Sequence, residues 1–127
     1  MNGITYDTGA LIAADHNDRR MWALHAGLLA LETTRTVPTP VVAEAWRGGP
    51  RQANLARFLA LCATEPLNDK QARAVGTLAA RAGHDDIVDL TVVEGAVRHC
   101  DAVVTSNPTH IRKIADVTRA RLTIETV

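Results

Sequence analysis

Aromatic side chains are scarce in this sequence, 3% of 127 residues, although 46% are hydrophobic. The core must therefore be aliphatic, built from Ala, Val, Leu and Ile, and the length allows one domain spanning residues 1–127. Net charge is missing as well. Fourteen Lys and Arg balance fourteen Asp and Glu, which argues against coating nucleic acid through bulk charge but leaves room for a local basic rim around an acidic site. Cysteine is limited to Cys62 and Cys100. These are isolated and lack metal-ligand spacing, so they are expected as buried, reduced thiols of a cytosolic protein. No run of about 18 apolar residues exists to cross a membrane. Asp7 interrupts any early apolar run of the secretory kind. With no internal repeat, low-complexity tract or linker, the expectation is a soluble, cytoplasmic single domain.

What is present alternates. Gly3 to Tyr6 reads as a short strand leading into Asp7, and TGALIAAD as a helix with Thr8 as its N-cap. Asp18 to Leu31 has helical spacing at Met21, Trp22, Leu24, Leu28 and Leu31. Arg35 to Pro38 is a second strand, and Pro40 suits the first turn of a helix, VVAEAWR, that Gly48-Gly49-Pro50 ends. Gln52 to Cys62 is a further helix, Thr64 to Leu67 a weak strand, and Asp69 caps a helix through about Arg81 that Gly83 punctuates. Pro108 opens a helix to about Ala115, and Arg121 to Thr126 is a last strand. Strands and helices alternating at these lengths predict an α/β fold, a mostly parallel sheet with helices on both faces.

The chain is organised around Gly83 to Pro108, GHDDIVDLTVVEGAVRHCDAVVTSNP. The pattern from Ile87 to Val97 fits a helix buried on more than one face, with Asp85 or Asp86 as N-cap. Ala102 to Thr105 is β-branched enough for a buried strand. An Asp in the first turn of a buried helix is costly to desolvate unless something positive lies opposite, and the helix N-terminus compensates only in part. A metal ion would resolve that imbalance. Four positions combine with it: Asp7, Glu44, Asp89 and Asn107. Singly, each has a plain structural role. Asp7 can be a helix-entry residue, Glu44 can face water, Asp85 and Asp86 can be caps, and Asn107 before Pro108 is a natural turn residue. Together, two strand ends and two helix starts can converge on one crevice at the carboxyl edge of a sheet, where open α/β folds place ligands. Oxygen-only donors suit Mg²⁺ or Mn²⁺ rather than zinc.

YDTGALIAA, VVAEAWR and DLTVVEGAVRHCDAVVTSNP resemble the three signature blocks of PIN-domain ribonucleases, with the nearest likeness to VapC-type toxins of toxin–antitoxin pairs. The resemblance covers nearly the whole chain in block order and spacing. It implies a three-layer α/β/α fold with a twisted, mostly parallel sheet of about five strands. It also implies that Asp7, Glu44 and Asp89 are the principal acids, holding Mg²⁺ or Mn²⁺, and that the substrate is RNA. A VapB-like antitoxin would be the partner. The fourth family position, usually Asp, falls on Asn107, which removes one negative charge. Arg47, Arg51, Arg112 and Lys113 are candidate phosphate contacts, Thr105 and Ser106 candidate hydroxyls at the site, and His84, His99 and His110 have no assigned role.

Two other readings stand beside the ribonuclease. One is a catalytically weakened PIN-like module that binds protein or RNA, for which Asn107 is the feature. The other is a phosphoacceptor α/β domain, which needs a lysine after a late strand where Thr105-Ser106-Asn107-Pro108 has none. A homodimer is expected from the apolar surface of residues 22–31 and 46–59.

Overall fold

A computed structural model describes residues 2–127. Thirteen elements follow in chain order: β1 (Gly3–Tyr6), α1 (Thr8–Asp15), α2 (Arg19–Ala30), β2 (Thr34–Pro38), α3 (Thr39–Ala45), a 3₁₀ turn (Pro50–Gln52), α4 (Ala53–Ala60), β3 (Ala63–Glu65), α5 (Asp69–Ala82), α6 (Ile87–His99), β4 (Ala102–Thr105), α7 (Pro108–Thr118) and β5 (Ile124–Thr126). The five strands form one sheet in the order β3-β2-β1-β4-β5, and every neighbouring pair is parallel. This is the predicted α/β class, with seven α-helices flanking five strands.

The sheet centre explains its composition. β1 and β4 are buried at every position, as strands covered on both faces must be, so Ile4, Ala102, Val103 and Val104 read as apolar runs and not as alternations. α6 packs on β1, β2 and β4 and buries Leu90, Thr91, Val92, Val93, Gly95 and Ala96, which explains its apolar character on several faces. α1 packs with α2, α3 and α4, while α5, α6 and α7 pack together. Three of the four aromatics are gathered at one place, and Trp46 lies apart, exposed. Tyr6, Trp22, His25 and Phe58 form a cluster in which His25 stacks on Phe58 at 4.0 Å between ring centroids.

The structure corrects several local expectations. The N-cap of α1 is Asp7, not Thr8, because Asp7 keeps extended backbone while its carboxylate accepts from Thr8 N. The cap of α5 is Asn68, whose Oδ1 accepts from Gln71 N at 2.9 Å, so Asp69 is the first helical residue. α4 begins only after the 3₁₀ turn and stops at Ala60. β3 ends at Glu65, before Pro66, which has no N–H to continue a ladder. α7 continues to Thr118, where Arg119 takes a left-handed conformation with φ 60°. Cys100 is exposed, not buried. It occupies the left-handed cap of α6 at φ 58°, a position that faces solvent. Leu31, expected on the apolar stripe of α2, is 78% exposed at its C-cap. Among the described residues no helix is long and apolar enough to cross a membrane.

Candidate active site

Asp7 follows β1 directly, and its own N–H donates to Val104 O at 2.9 Å, which ties it to the central strand pair. Both carboxylate oxygens are engaged: Oδ1 accepts from Thr8 N and Oδ2 from Thr105 Oγ1, each at 2.7 Å. Asp7 is only 5% exposed. Burial pushes its pKa above the ordinary carboxylate range. The two hydrogen bonds oppose that shift, while Glu44 and Asp86 add to it. Thr105 has no exposed surface and works in two directions, donating to Asp7 and accepting from Asn107 N at 2.9 Å. Its hydroxyl thereby joins the end of β4 to the acid that follows β1.

Asp89 lies in the first turn of α6, below a cap made by Asp86, whose Oδ1 accepts from Val88 N and Asp89 N. The Asp89 side chain is 14% exposed. Its pKa is raised first by burial, then by Asp7 and Asp86, against an opposing contribution from His84. Asp7, from a distant part of the chain, therefore adds to the negative charge around Asp89, and Asp86 acts on both. No Lys or Arg pairs with either among the described residues; the ion pairs near them involve histidine only.

Those histidines carry no role in the sequence reading. His84 Nε2 lies 3.5 Å from Asp89 Oδ2. That is long for a hydrogen bond, so this buried nitrogen has no full partner. His110 Nδ1 lies 3.6 Å from the same oxygen, and the two imidazoles meet edge to face at 5.7 Å. The local signals were a His beside the Asp85-Asp86 pair and a His in the turn after Pro108. Neither predicts convergence on Asp89: His84 reaches it from the connection between α5 and α6, and His110 only through the packing of α6 with α7.

Glu44 is exposed on the short α3 and reaches Asp7 only through its field. Asn107 is exposed at the N-cap position of α7, makes no cap bond, and sets its Nδ2 3.1 Å from His110 Nδ1. Asp7 and Asp89 are thus brought together in the interior edge of the site, with Glu44 and Asn107 at its rim. Among the described residues no three His, Cys, Asp or Glu side chains are arranged as a ready set for an ion. Of the expected phosphate contacts, Arg47, just past the end of α3, turns back to Ala43 O and Trp46 O. Arg51, Arg112 and Lys113 are exposed.

Ser106 is held close over α1. A Cβ built at Gly9 would meet Ser106 Oγ at 1.9 Å and Ser106 N at 3.0 Å. Gly9→Ala is therefore expected to displace the Thr105–Asn107 turn and destabilise the chain by about 1–3 kcal/mol. Ser106→Gly in the same chain should recover part of the loss, because it removes the Oγ and Cβ contacts. Thermal melts of the single and double variants check this; no recovery would show that the crowding lies elsewhere.

No family model matches the sequence, and no curated protein matches it either. Among solved structures, a chain in the crystal structure of VapBC2 from Rickettsia felis bound to a DNA fragment from their promoter has the same fold. It matches with a TM-score of 0.73 and 19% sequence identity, over 98% of this chain and 98% of that one. Identity at this level carries architecture and nothing finer: the chain has a PIN-like fold.

Proposed function

We propose that this chain is a Mg²⁺- or Mn²⁺-dependent endoribonuclease that hydrolyses RNA phosphodiester bonds as the toxin of a toxin–antitoxin pair. The observation that carries the reading is the pairing of two repelling carboxylates, buried Asp7 and half-buried Asp89, at the carboxyl edge of a parallel sheet, with no Lys or Arg paired to either among the described residues and only His84 and His110 beside Asp89. Such a pair fits a hard divalent cation in charge and donor type. Asp7 and Asp89 would hold the ion, and Glu44, exposed on α3, would ligate it or position its water. Bound there, such an ion would supply Lewis acidity and an activated water for attack at phosphorus. Thr105 fixes the orientation of Asp7 through its hydroxyl. His84 limits the freedom of Asp89. Asn107 presents an amide at the rim, where its oxygen can position a water.

The partners of this reading are a VapB-like antitoxin and a second copy of the chain. Apolar side chains left uncovered, Trp46 at 40% and Ile12 at 45% exposure, support association, since α1 and α3 pack side by side.

Incubation of the purified chain with RNA in Mg²⁺, Mn²⁺ and EDTA tests the activity. Cleavage is expected with either ion and none in EDTA; cleavage undiminished by EDTA would overturn it. Asn107→Asp adds a carboxylate beside His110 and is expected to tighten Mg²⁺ several-fold and to narrow a preference for Mn²⁺. Metal titration of the cleavage rate reads this, and an unchanged dependence would make Asn107 a turn residue only. One observation favours a second reading, a PIN-like binding module with a weakened site: Glu44 is exposed, and among the described residues no three His, Cys, Asp or Glu side chains are grouped to hold an ion. That reading requires RNA or protein binding with no metal-dependent cleavage.

A further inference from the structure

An open groove of about 660 Å³ runs between α7 and the edge strand β5, with Pro108, Thr109, Arg112 and Lys113 on one wall and Ile124 and Thr126 on the other. It begins where the acidic site ends. Pro108 and Thr109 follow Asn107 directly, and His110, in the same turn of α7, has its Nδ1 3.6 Å from Asp89 Oδ2. From there the groove descends along the sheet edge, because α7 runs back from the carboxyl end of β4 while β5 is parallel to it.

The charges lining the groove are not neutralised by one another. Arg112 donates from one guanidinium nitrogen to Leu122 O at 3.1 Å. This pins the group at the wall and leaves its other N–H donors for a ligand. Lys113 makes no ion pair or side-chain hydrogen bond among the described residues, whereas Arg73 is tied to Asp69 and Arg98 to Glu65 and Glu94. The one acid in the lining, Asp116, leaves the groove with a positive excess in a chain of zero net charge. Ile124 and Pro108 add apolar surface, and no aromatic side chain is present for base stacking. Two cations on an apolar floor, continuous with a site that is acidic, suit a flexible polyanion that must pass the acids.

We infer that this groove holds the single-stranded RNA flank next to the scissile phosphate, with Arg112 and Lys113 on successive backbone phosphates. The inference rests on the ribonuclease reading and adds the path of the substrate. With no stacking platform, the flank is held by its backbone and with little regard to sequence.

Binding of a short labelled single-stranded RNA is measured in Mg²⁺ across a salt series, in an Asp89→Asn background that binds without cutting. Adding Arg112→Ala and Lys113→Ala should weaken binding and flatten the slope of log affinity against log salt by about 1.4, since each phosphate contact on a single strand contributes about 0.7. Arg112→Lys keeps the charge and should retain most of the slope. Asp116→Asn should tighten binding. In the cutting chain, the double alanine variant should raise KM for a long strand while leaving a dinucleotide substrate unaffected. Unchanged affinity and slope in the double variant, with the parent binding and cutting RNA, would overturn the inference alone. A poly-glutamate peptide whose binding depends on Arg112 and Lys113, with RNA binding indifferent to them, would reassign the groove to an acidic protein segment. A parent chain that neither binds nor cuts RNA would overturn the ribonuclease reading itself.

Discussion

Asp7→Asn and Asp89→Asn are each expected to reduce metal-dependent RNA cleavage by more than about a hundredfold, beyond what losing a group adjacent to a metal ligand costs. Thr105→Val, which strips Asp7 of the hydroxyl at 2.7 Å but leaves the carboxylate, should cost about ten- to a hundredfold. That ordering separates a ligand from the residue that orients it. The same Asn substitutions should stabilise the chain without metal. Burial and neighbouring acids raise the folded-state pKa of Asp7 and Asp89 above the ordinary value. The stability linked to their protonated forms is therefore fully present below about pH 3.9 and is lost as pH rises through the raised pKa. At pH 7 the wild-type chain bears that loss and the Asn variants do not. A gain in stability and in Tm is expected in EDTA at pH 7, closing near pH 4. Full cleavage by the Asp89→Asn chain would remove Asp89 from the site. A variant less stable than wild type in EDTA at pH 7 would mean that the carboxylates are structural.

The second large effect lies in the core and has the opposite sign in pH. His25 has no exposed surface. Its Nδ1 faces the Tyr6 hydroxyl at 2.8 Å, and its Nε2 is buried without a partner. Burial depresses its pKa from 6.5 to about 4, with the Arg35 charge adding to the shift. A His whose folded pKa is lowered contributes stability above the unfolded value, and that stability is lost as pH falls from about 6.5 towards 4. At about 1.36 kcal/mol per pH unit the loss is on the order of 3 kcal/mol, a large share of a typical domain's ~5–15 kcal/mol. The raised carboxylates offset part of it at the acid end. Urea unfolding between pH 4 and 7 should show the acid loss in the wild-type chain and a flatter profile in His25→Gln, whose amide can still meet Tyr6. Parallel profiles for the two chains would assign the acid sensitivity to other groups.

The elements themselves are written locally. Short β-branched or apolar runs, period-3.6 apolar patterns, Pro40 near the start of α3, Asp86 before α6 and Gly83 after α5 are choices made within a few residues, and the order of strands and helices they produce implies a parallel sheet. The placement of Asp7 after a strand and Asp89 in a first helical turn was legible for the same reason. Cap identity was less so. Thr8 and Asp69 are chemically sound caps, and only the backbone angles of Asp7 and Asn68 decide against them.

The rest needed the tertiary structure because it joins residues far apart in the chain. The strand order places β1 between β2 and β4, a long-range pairing that local periodicity cannot encode, and through it Thr105 reaches Asp7. The packing of α6 with α7 brings His110 to the same Asp89 oxygen that His84, in the connection between α5 and α6, faces from nearby in the chain. Burial decides the chemistry in the same way: Asp7 is enclosed and Glu44 faces water, though both are carboxylates next to apolar runs. The groove between α7 and β5 exists only because β5 closes the sheet beside β4, so two ordinary surface cations become neighbours of the acidic site.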